Sequence, residues 1–489
     1  MWRLGIFIWL FSHLVSIQGF GFRGFHYEGL REPEVKGARM LMEEWIEQPL
    51  DHFDVTNNRS WRMRYYENNQ FFNNTGPIFI MLGGEWKIYP GSLQSGMLFE
   101  NAKVHGAMMY YTEHRYYGKS HPVVDTSVEN LLFLSVDQAL ADIAFFVETA
   151  KQKLNIYDSP VIVFGGSYAG NMAAWARIKY PHLISGAVAS SAPVRAKADF
   201  YEYYEVVRNS LNTYSEKCPA NTKEAFSAVE KLLTGETADP KKIKDDFNLC
   251  DIPDISNSKE LAWVIRSLAA IFASAVQYNS VEMNGKTSIA KLCDLMMTPS
   301  GNASSPYDRL ATAFRSQYRR QCVDLKYSHF INTYRDTSWE SEAATSDMRQ
   351  WTYQTCTEYG YYQTSNSSQS IFGTMFPIDY DIEMCKDLYG ENYNGDTVKK
   401  SVRRTNIMYG ADLPDVDRII FTNGDVDPWH ALSVLKDLNP QALAILIKGS
   451  SHCADLQSEK STDVEGLKDA RYLIASKISK WLNATYIGY

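Results

Sequence analysis

A serine hydroxyl is a weak nucleophile at neutral pH and becomes reactive only when a base takes its proton and a third group orients that base. Ser167 has the local setting for this role. It lies in Gly165-Gly166-Ser167-Tyr168-Ala169-Gly170, after the apolar run Val161 to Phe164 and before the Ala-rich stretch Asn171 to Lys179, which Tyr180-Pro181 stops. Strand, sharp turn and helix form the context of a nucleophile elbow, where a strained backbone lifts the serine hydroxyl above the sheet edge. The flanking residues are small because such a turn leaves no room for side chains. Ala169 stands where the strict pattern has glycine, a place where a methyl group is tolerated. A Gly-rich turn between a strand and a helix is the competing reading, and a short motif alone does not separate the two.

In chains with such an elbow on a parallel sheet the order is serine, then acid, then histidine. Of ten histidines only His182, His329, His430 and His452 follow Ser167. His452 alone comes after the last expected strand with an acid upstream, in Lys448-Gly449-Ser450-Ser451-His452-Cys453. The acid belongs on the turn after the preceding strand, Asn423-Gly424-Asp425-Val426-Asp427-Pro428-Trp429, where both Asp425 and Asp427 are available. Asp427 is preferred, because a residue before proline is pushed into an extended conformation and Trp429 can shield its carboxylate. Acyl chemistry also needs two backbone N–H groups aimed at the developing oxyanion. Tyr168 supplies one, and Gly84 or Glu85, in the loop Leu82-Gly83-Gly84-Glu85-Trp86, supplies the other. Because His452 must be neutral to act as a base, activity falls at low pH unless its pKa is depressed, and work in an acidic lumen requires such a depression.

The elements that must position these residues are buried parallel strands, read as continuous apolar runs at 77–82, 107–111, 161–164, 186–189, 419–421 and 442–447. Helices are expected at 136–154 and 464–482, so strands and helices alternate as in an α/β fold. From about 197 to 405 the rhythm breaks. That segment holds six of the seven cysteines, carries helix-like stretches such as 261–276, and is expected to be a disulfide-stapled helical insertion above the strand ends. The expected organisation is a core of 45–196 and 406–489 with a cap of 197–405.

Composition excludes several classes. The 489 residues are 45% hydrophobic with a net charge of −8 and no dense Lys/Arg run, which argues against a nucleic-acid partner. Arg3 followed by an apolar stretch to about Val15 and small residues to Gly19 reads as a secretory signal peptide over 1–19, and no stable membrane anchor is expected. Export agrees with cysteines that lack any zinc-type close pair, and no metal site or cofactor is read. Sequons at Asn58, Asn73, Asn302, Asn366 and Asn483 point the same way, as glycosylation acceptors. A homodimer is left open.

With these residues in hand, the chain resembles the serine peptidase family that contains lysosomal prolyl carboxypeptidase, dipeptidyl peptidase II and the thymus-specific serine protease. The resemblance runs from about Trp45 to the end. It is carried by Gln48-Pro49-Leu50-Asp51-His52-Phe53, Glu113-His114-Arg115-Tyr116-Tyr117-Gly118, the Ser167 elbow, Ser190-Ser191-Ala192-Pro193-Val194, Trp351 to Glu358, and Asp427-Pro428-Trp429. Ala173-Ala174-Trp175-Ala176-Arg177 and Gly83-Gly84-Glu85 look most like the thymus-specific branch. The resemblance implies an α/β-hydrolase core with a helical cap, and Ser167, Asp427 and His452 as nucleophile, acid and base. It also implies the pairings Cys218–Cys293, Cys250–Cys322 and Cys356–Cys385, leaving Cys453 free. An exopeptidase acting on short peptides, beside proline in known members, is the implied activity, in a secreted or lysosomal setting. Glu85-Trp86-Lys87 departs from the Asn-Glu-Gly loop of the two exopeptidases, so proline preference and choice of terminus do not transfer with it. Glu85 has two readings, a partner for a substrate amino group and a structural ion pair. A lipase or esterase on the same fold is the alternative enzyme, disfavoured by the expected lack of a long apolar lid helix in the insertion. A catalytically silent peptide-binding protein would need a broken triad.

Overall fold

A computed structural model describes residues 30, 32–35, 37, 39–280, 285–299, 301, 303–318 and 322–487. The expected signal peptide and Asn302 lie outside the described residues.

The strands are β1 (Glu43–Pro49), β2 (Ser60–Asn68), β3 (Ile78–Leu82), β4 (Met108–Thr112), β5 (Val161–Gly166), β6 (Gly186–Ser190), β7 (Lys197–Asp199), β8 (Gly360–Tyr362), β9 (Ile419–Gly424) and β10 (Ala442–Ile447). Eight of them form one sheet in the order β1-β2-β4-β3-β5-β6-β9-β10. From β4 to β10 the pairing is parallel, and these are the six apolar runs of the sequence. β5 lies at the centre with every residue buried, as expected of a strand covered on both faces. The elbow at its carboxyl end is therefore held by β3 on one side and β6 on the other.

The sheet is mixed rather than wholly parallel, because β1 and β2 add an antiparallel edge that the sequence reading missed. Their charges hid them. Arg64 of β2 is fully buried, and its guanidinium is matched by Glu113 and by Glu43 of β1, so an ion-pair network replaces the apolar run that marks a buried strand.

Between Glu202 and Tyr409 the regular elements of the described residues are helices apart from β8, which pairs with β7 in a separate two-stranded ribbon. Three disulfides cross-link this segment, Cys218–Cys293, Cys250–Cys322 and Cys356–Cys385. Against expectation, the segment does contain a long apolar helix. Ser258–Gln277 is apolar and long enough to cross a membrane, but it is largely enclosed by other cap helices and serves as their core. One hydrophobic cluster runs from the sheet into this cap. Sheet, elbow and enclosing helices together make an α/β-hydrolase fold with a disulfide-stapled helical insertion.

Candidate active site

Ser167 has φ 58° and ψ −132°, a conformation that side-chain sterics disfavour for any residue but glycine. The turn around it is closed tightly. A Cβ on Gly165 would come within 2.0 Å of the Ala169 carbonyl oxygen, which is why glycine is required there, while Ala169 is itself accommodated within the helix Tyr168–Lys179. The Ser167 amide donates to the carbonyl of Ser190 at 2.9 Å, fixing the elbow to the end of β6. Tyr168 is the first residue of the helix, where N–H groups have no intrahelical acceptor and are available to an anion.

The structure brings Asp427 and His452 together. Asp427 follows β9 and caps the short helix Pro428–Leu432, with its Oδ1 accepting the Trp429 amide at 3.1 Å. Its Oδ2 lies 2.7 Å from His452 Nδ1, and both side chains are fully shielded from solvent. A proton on Nδ1 shared with the carboxylate leaves Nε2 as the unprotonated, basic nitrogen of the imidazole. Burial by itself would push the His452 pKa down, but the adjacent Asp427 carboxylate, with a further contribution from Cys453, outweighs it and holds the imidazole well above the ordinary histidine range. That is opposite to the depression an acidic working environment requires. Asp425, the other candidate acid, instead accepts the Gly449 amide at 2.6 Å and braces the loop after β10.

The histidine loop is anchored beside the elbow by groups that the sequence reading passed over. Ser191 Oγ accepts the Cys453 amide at 2.9 Å, and Cys453 Sγ lies 3.8 Å from the Ser190 carbonyl that also receives the Ser167 amide. The Asp455 carboxylate accepts from Thr422 Oγ1 at 2.7 Å and from Ser190 Oγ, tying the loop to β9 and β6. Cys453 is free and buried.

The remaining candidates fall around this centre. Gly84 lies under the Trp86 indole, which leaves no room for a Cβ, and Glu85 is completely buried, with its charge felt at Tyr168, Tyr278 and Tyr361. Trp429 is buried and donates its indole N–H to Gln277 Oε1 at 3.0 Å. The Tyr168 hydroxyl is held in a buried polar network, 3.0 Å from His114 Nε2 and 3.0 Å from Gln354 Nε2, with the Tyr359 hydroxyl at 3.1 Å. Gln354 also donates to Glu358, in the π-helical turn Thr355–Tyr359. Burial pushes the Glu358 carboxyl up to about 7 and the His114 imidazole down to about 4, so each favours its neutral form. His452 and Cys453 line a cavity of about 470 Å³ whose cap side includes Tyr278, Asn279 and Thr287. Of the sequons, Asn58, Asn73, Asn366 and Asn483 are exposed. Among the described residues the metal-type cluster Asp251, Asp324 and His329 is exposed and lies in the cap, apart from this centre.

Strained serine, buried carboxylate–imidazole pair and adjacent helix N-terminus can together support nucleophilic acyl transfer. Comparison with known proteins agrees. The profile of the family described as Serine carboxypeptidase S28 matches residues 48–474. A serine protease of Caenorhabditis elegans is 37% identical over 458 residues, covering 89% of this chain and 87% of its own. The thymus-specific serine protease of Homo sapiens is 36% identical over 449 residues, covering 90% and 86%. The lysosomal Pro-X carboxypeptidase of Homo sapiens is 26% identical over 463 residues, covering 90% and 88%. Among solved structures, a proline iminopeptidase of Mycobacterium smegmatis covers 90% of this chain and 99% of its own at 12% identity, with a TM-score of 0.36.

Proposed function

The chain belongs to the serine carboxypeptidase S28 family and is a serine peptidase, and from that premise we propose that it is an exopeptidase cutting short peptides through an acyl-enzyme on Ser167. Ser167 Oγ attacks the scissile carbonyl carbon and passes its proton to His452 Nε2. Asp427 keeps the Nδ1 proton in place and stabilises the imidazolium that forms. The amides of Tyr168 and of Gly84 or Glu85 receive the oxyanion. His452 then protonates the departing amine, and water attacks the ester by the reverse of these transfers. The observation that carries this reading is the fully shielded contact of 2.7 Å between His452 Nδ1 and Asp427 Oδ2, on loops anchored at the Ser167 elbow.

The helical cap above the site supports short peptides over folded proteins as substrates, and the relative named for Pro-X cleavage supports a preference beside proline. Signal-like sequence, exposed sequons and cross-linked cap support a secretory-pathway location with glycans on those asparagines. The raised basicity of His452 favours work near neutral pH over work in an acidic lumen.

A fluorophosphonate probe tests the nucleophile, with labelling expected in the native chain and absent in Ser167→Ala. Digestion of a peptide library read by mass spectrometry tests the mode, with one or two residues expected to leave from a single terminus. Internal cleavage throughout the library would overturn the exopeptidase reading.

A further inference from the structure

Gln277 is the last residue of the buried cap helix Ser258–Gln277 and has no solvent exposure. Its carbonyl oxygen accepts the backbone amide of His452 at 2.9 Å. Its side-chain Oε1 accepts two bonds, from the Trp429 indole at 3.0 Å and from the Tyr203 hydroxyl at 2.7 Å. Its Nε2 donates to the Tyr278 hydroxyl at 3.0 Å, and the Tyr278 ring stands edge-on to His452 with centroids 6.0 Å apart. Trp429 in turn gives its amide to Asp427 Oδ1. One cap residue therefore grips the base loop by its backbone and the acid turn by its side chain.

We infer that Gln277 is a positioning residue through which the cap sets the alignment of Asp427 against His452. The chemistry of the position favours an amide. Two donors converge on one oxygen while the amide nitrogen bonds the Tyr278 hydroxyl, a combination that glutamine satisfies and that leucine or methionine cannot. Loss of the side chain leaves the buried Tyr203 hydroxyl and Trp429 indole N–H without their acceptor, and the Trp429 turn is released. The turn carries Asp427, so its release weakens the carboxylate's hold on the imidazole. Titratable groups against His452 include Asp427 on the acid turn, Cys453 on its own loop and Tyr278 from the cap, with Glu34, Lys460 and Asp463 lining the same cavity. Only the first depends on the Trp429 tether. A cap linked in this way couples the seating of the insertion to the alignment of Asp427 and His452, without touching substrate.

The inference rests on the acyl-enzyme reading, and active-site titration separates the two. If the full-length wild-type protein does not react with a fluorophosphonate at Ser167, that reading fails. If it reacts, kcat is measured per titrated site. Gln277→Leu is expected to lower kcat about tenfold or more with KM within twofold, and to move the acid limb of the pH profile downward as His452 loses its partner. Trp429→Phe, which removes the indole N–H together with one ring of the side chain, is expected to reproduce that displacement, and the double variant to add nothing to it. Tyr203→Phe removes a bond that does not lead to Asp427 and is expected to leave the limb in place. A cap merely destabilised would lose titratable sites without moving the limb. Wild-type kcat per site and an unmoved limb in Gln277→Leu, or additive effects of the two substitutions, would overturn the inference. Should Gln277→Leu fail to fold, Trp429→Phe against Tyr203→Phe decides it by the same displacement.

Discussion

Asp427 Oδ2 and His452 Nδ1 meet at 2.7 Å with neither side chain reaching solvent. The pair fixes the direction of the pH dependence. Burial favours the neutral imidazole, the carboxylate and with it Cys453 favour the cation, and together they prevail, so the His452 pKa lies above its usual value of 6.5. The base must be neutral to act, hence kcat/KM falls as pH drops and is already half lost at a pH above the ordinary histidine range. A profile of kcat/KM between pH 4 and 9 on a peptide substrate measures this. A half-maximum below pH 6 would contradict the geometry.

The neighbouring carboxylates Asp425 and Asp427 give a sharp contrast. Asp427→Asn presents an amide to Nδ1 and favours the wrong tautomer, for an expected loss in kcat of about 10³ to 10⁴. Asp425 bonds the Gly449 amide at the surface of the loop after β10, so Asp425→Asn keeps that acceptor and is expected to retain kcat within about threefold. Steady-state kinetics on both variants, with expression and melting temperature as controls, distinguish them. Equal losses would mean that loop integrity, not imidazole orientation, is what either aspartate supplies.

Glu358 links the cap to the elbow through Gln354, which donates to both Glu358 and the Tyr168 hydroxyl. Burial raises its pKa from 4.5 to about 7, so the folded chain holds that proton more tightly than the unfolded chain does. The resulting stability is complete below pH 4.5 and is lost as pH rises through 7, amounting to roughly 3 kcal/mol. Glu358→Gln cannot titrate. The wild type is expected to lose stability between pH 5 and 8 that the variant does not lose, as read by denaturant unfolding at both pH values. Parallel pH dependences would show that Glu358 does not hold its proton in the folded state.

What was legible in the sequence follows from how burial is achieved. β3 to β6 and β9 are buried throughout, largely by apolar side chains, and with the half-buried edge strand β10 they read as continuous runs. β1 and β2 were not legible, because Arg64 is buried by pairing with Glu113, a partner 49 residues away. Ser167, Asp427 and His452 could be nominated from the sequence because each stands just past a strand in a fixed order, and the structure brings Asp427 and His452 into contact. Gln277, Asp455 and the Tyr168 network could not. Gln277 meets Trp429 across 152 residues and Gln354 meets Tyr168 across 186, and neither shows a local pattern. Asp455, three residues after His452, looks like a turn former until Thr422 and Ser190 are brought against it. The cap's long helix was underestimated for a related reason, since an apolar stretch does not reveal whether water or another helix will face it.

Ser167 stores backbone strain that the proposed chemistry uses and that stability does not need. At φ 58° and ψ −132° a Cβ is penalised, a cost of order 1 to 3 kcal/mol at such sites. Ser167→Gly removes the Cβ and with it the strain, against an entropic loss of roughly 0.5 to 1 kcal/mol for glycine in the unfolded chain. Ser167→Ala keeps the Cβ and the strain. Both variants are expected to be inactive and unreactive toward fluorophosphonate, but Ser167→Gly is expected to melt above both the wild type and Ser167→Ala. Calorimetry on the three proteins at one pH makes the comparison. A glycine variant that melts below the alanine variant would show that the elbow's neighbours, and not the serine backbone, carry the strain.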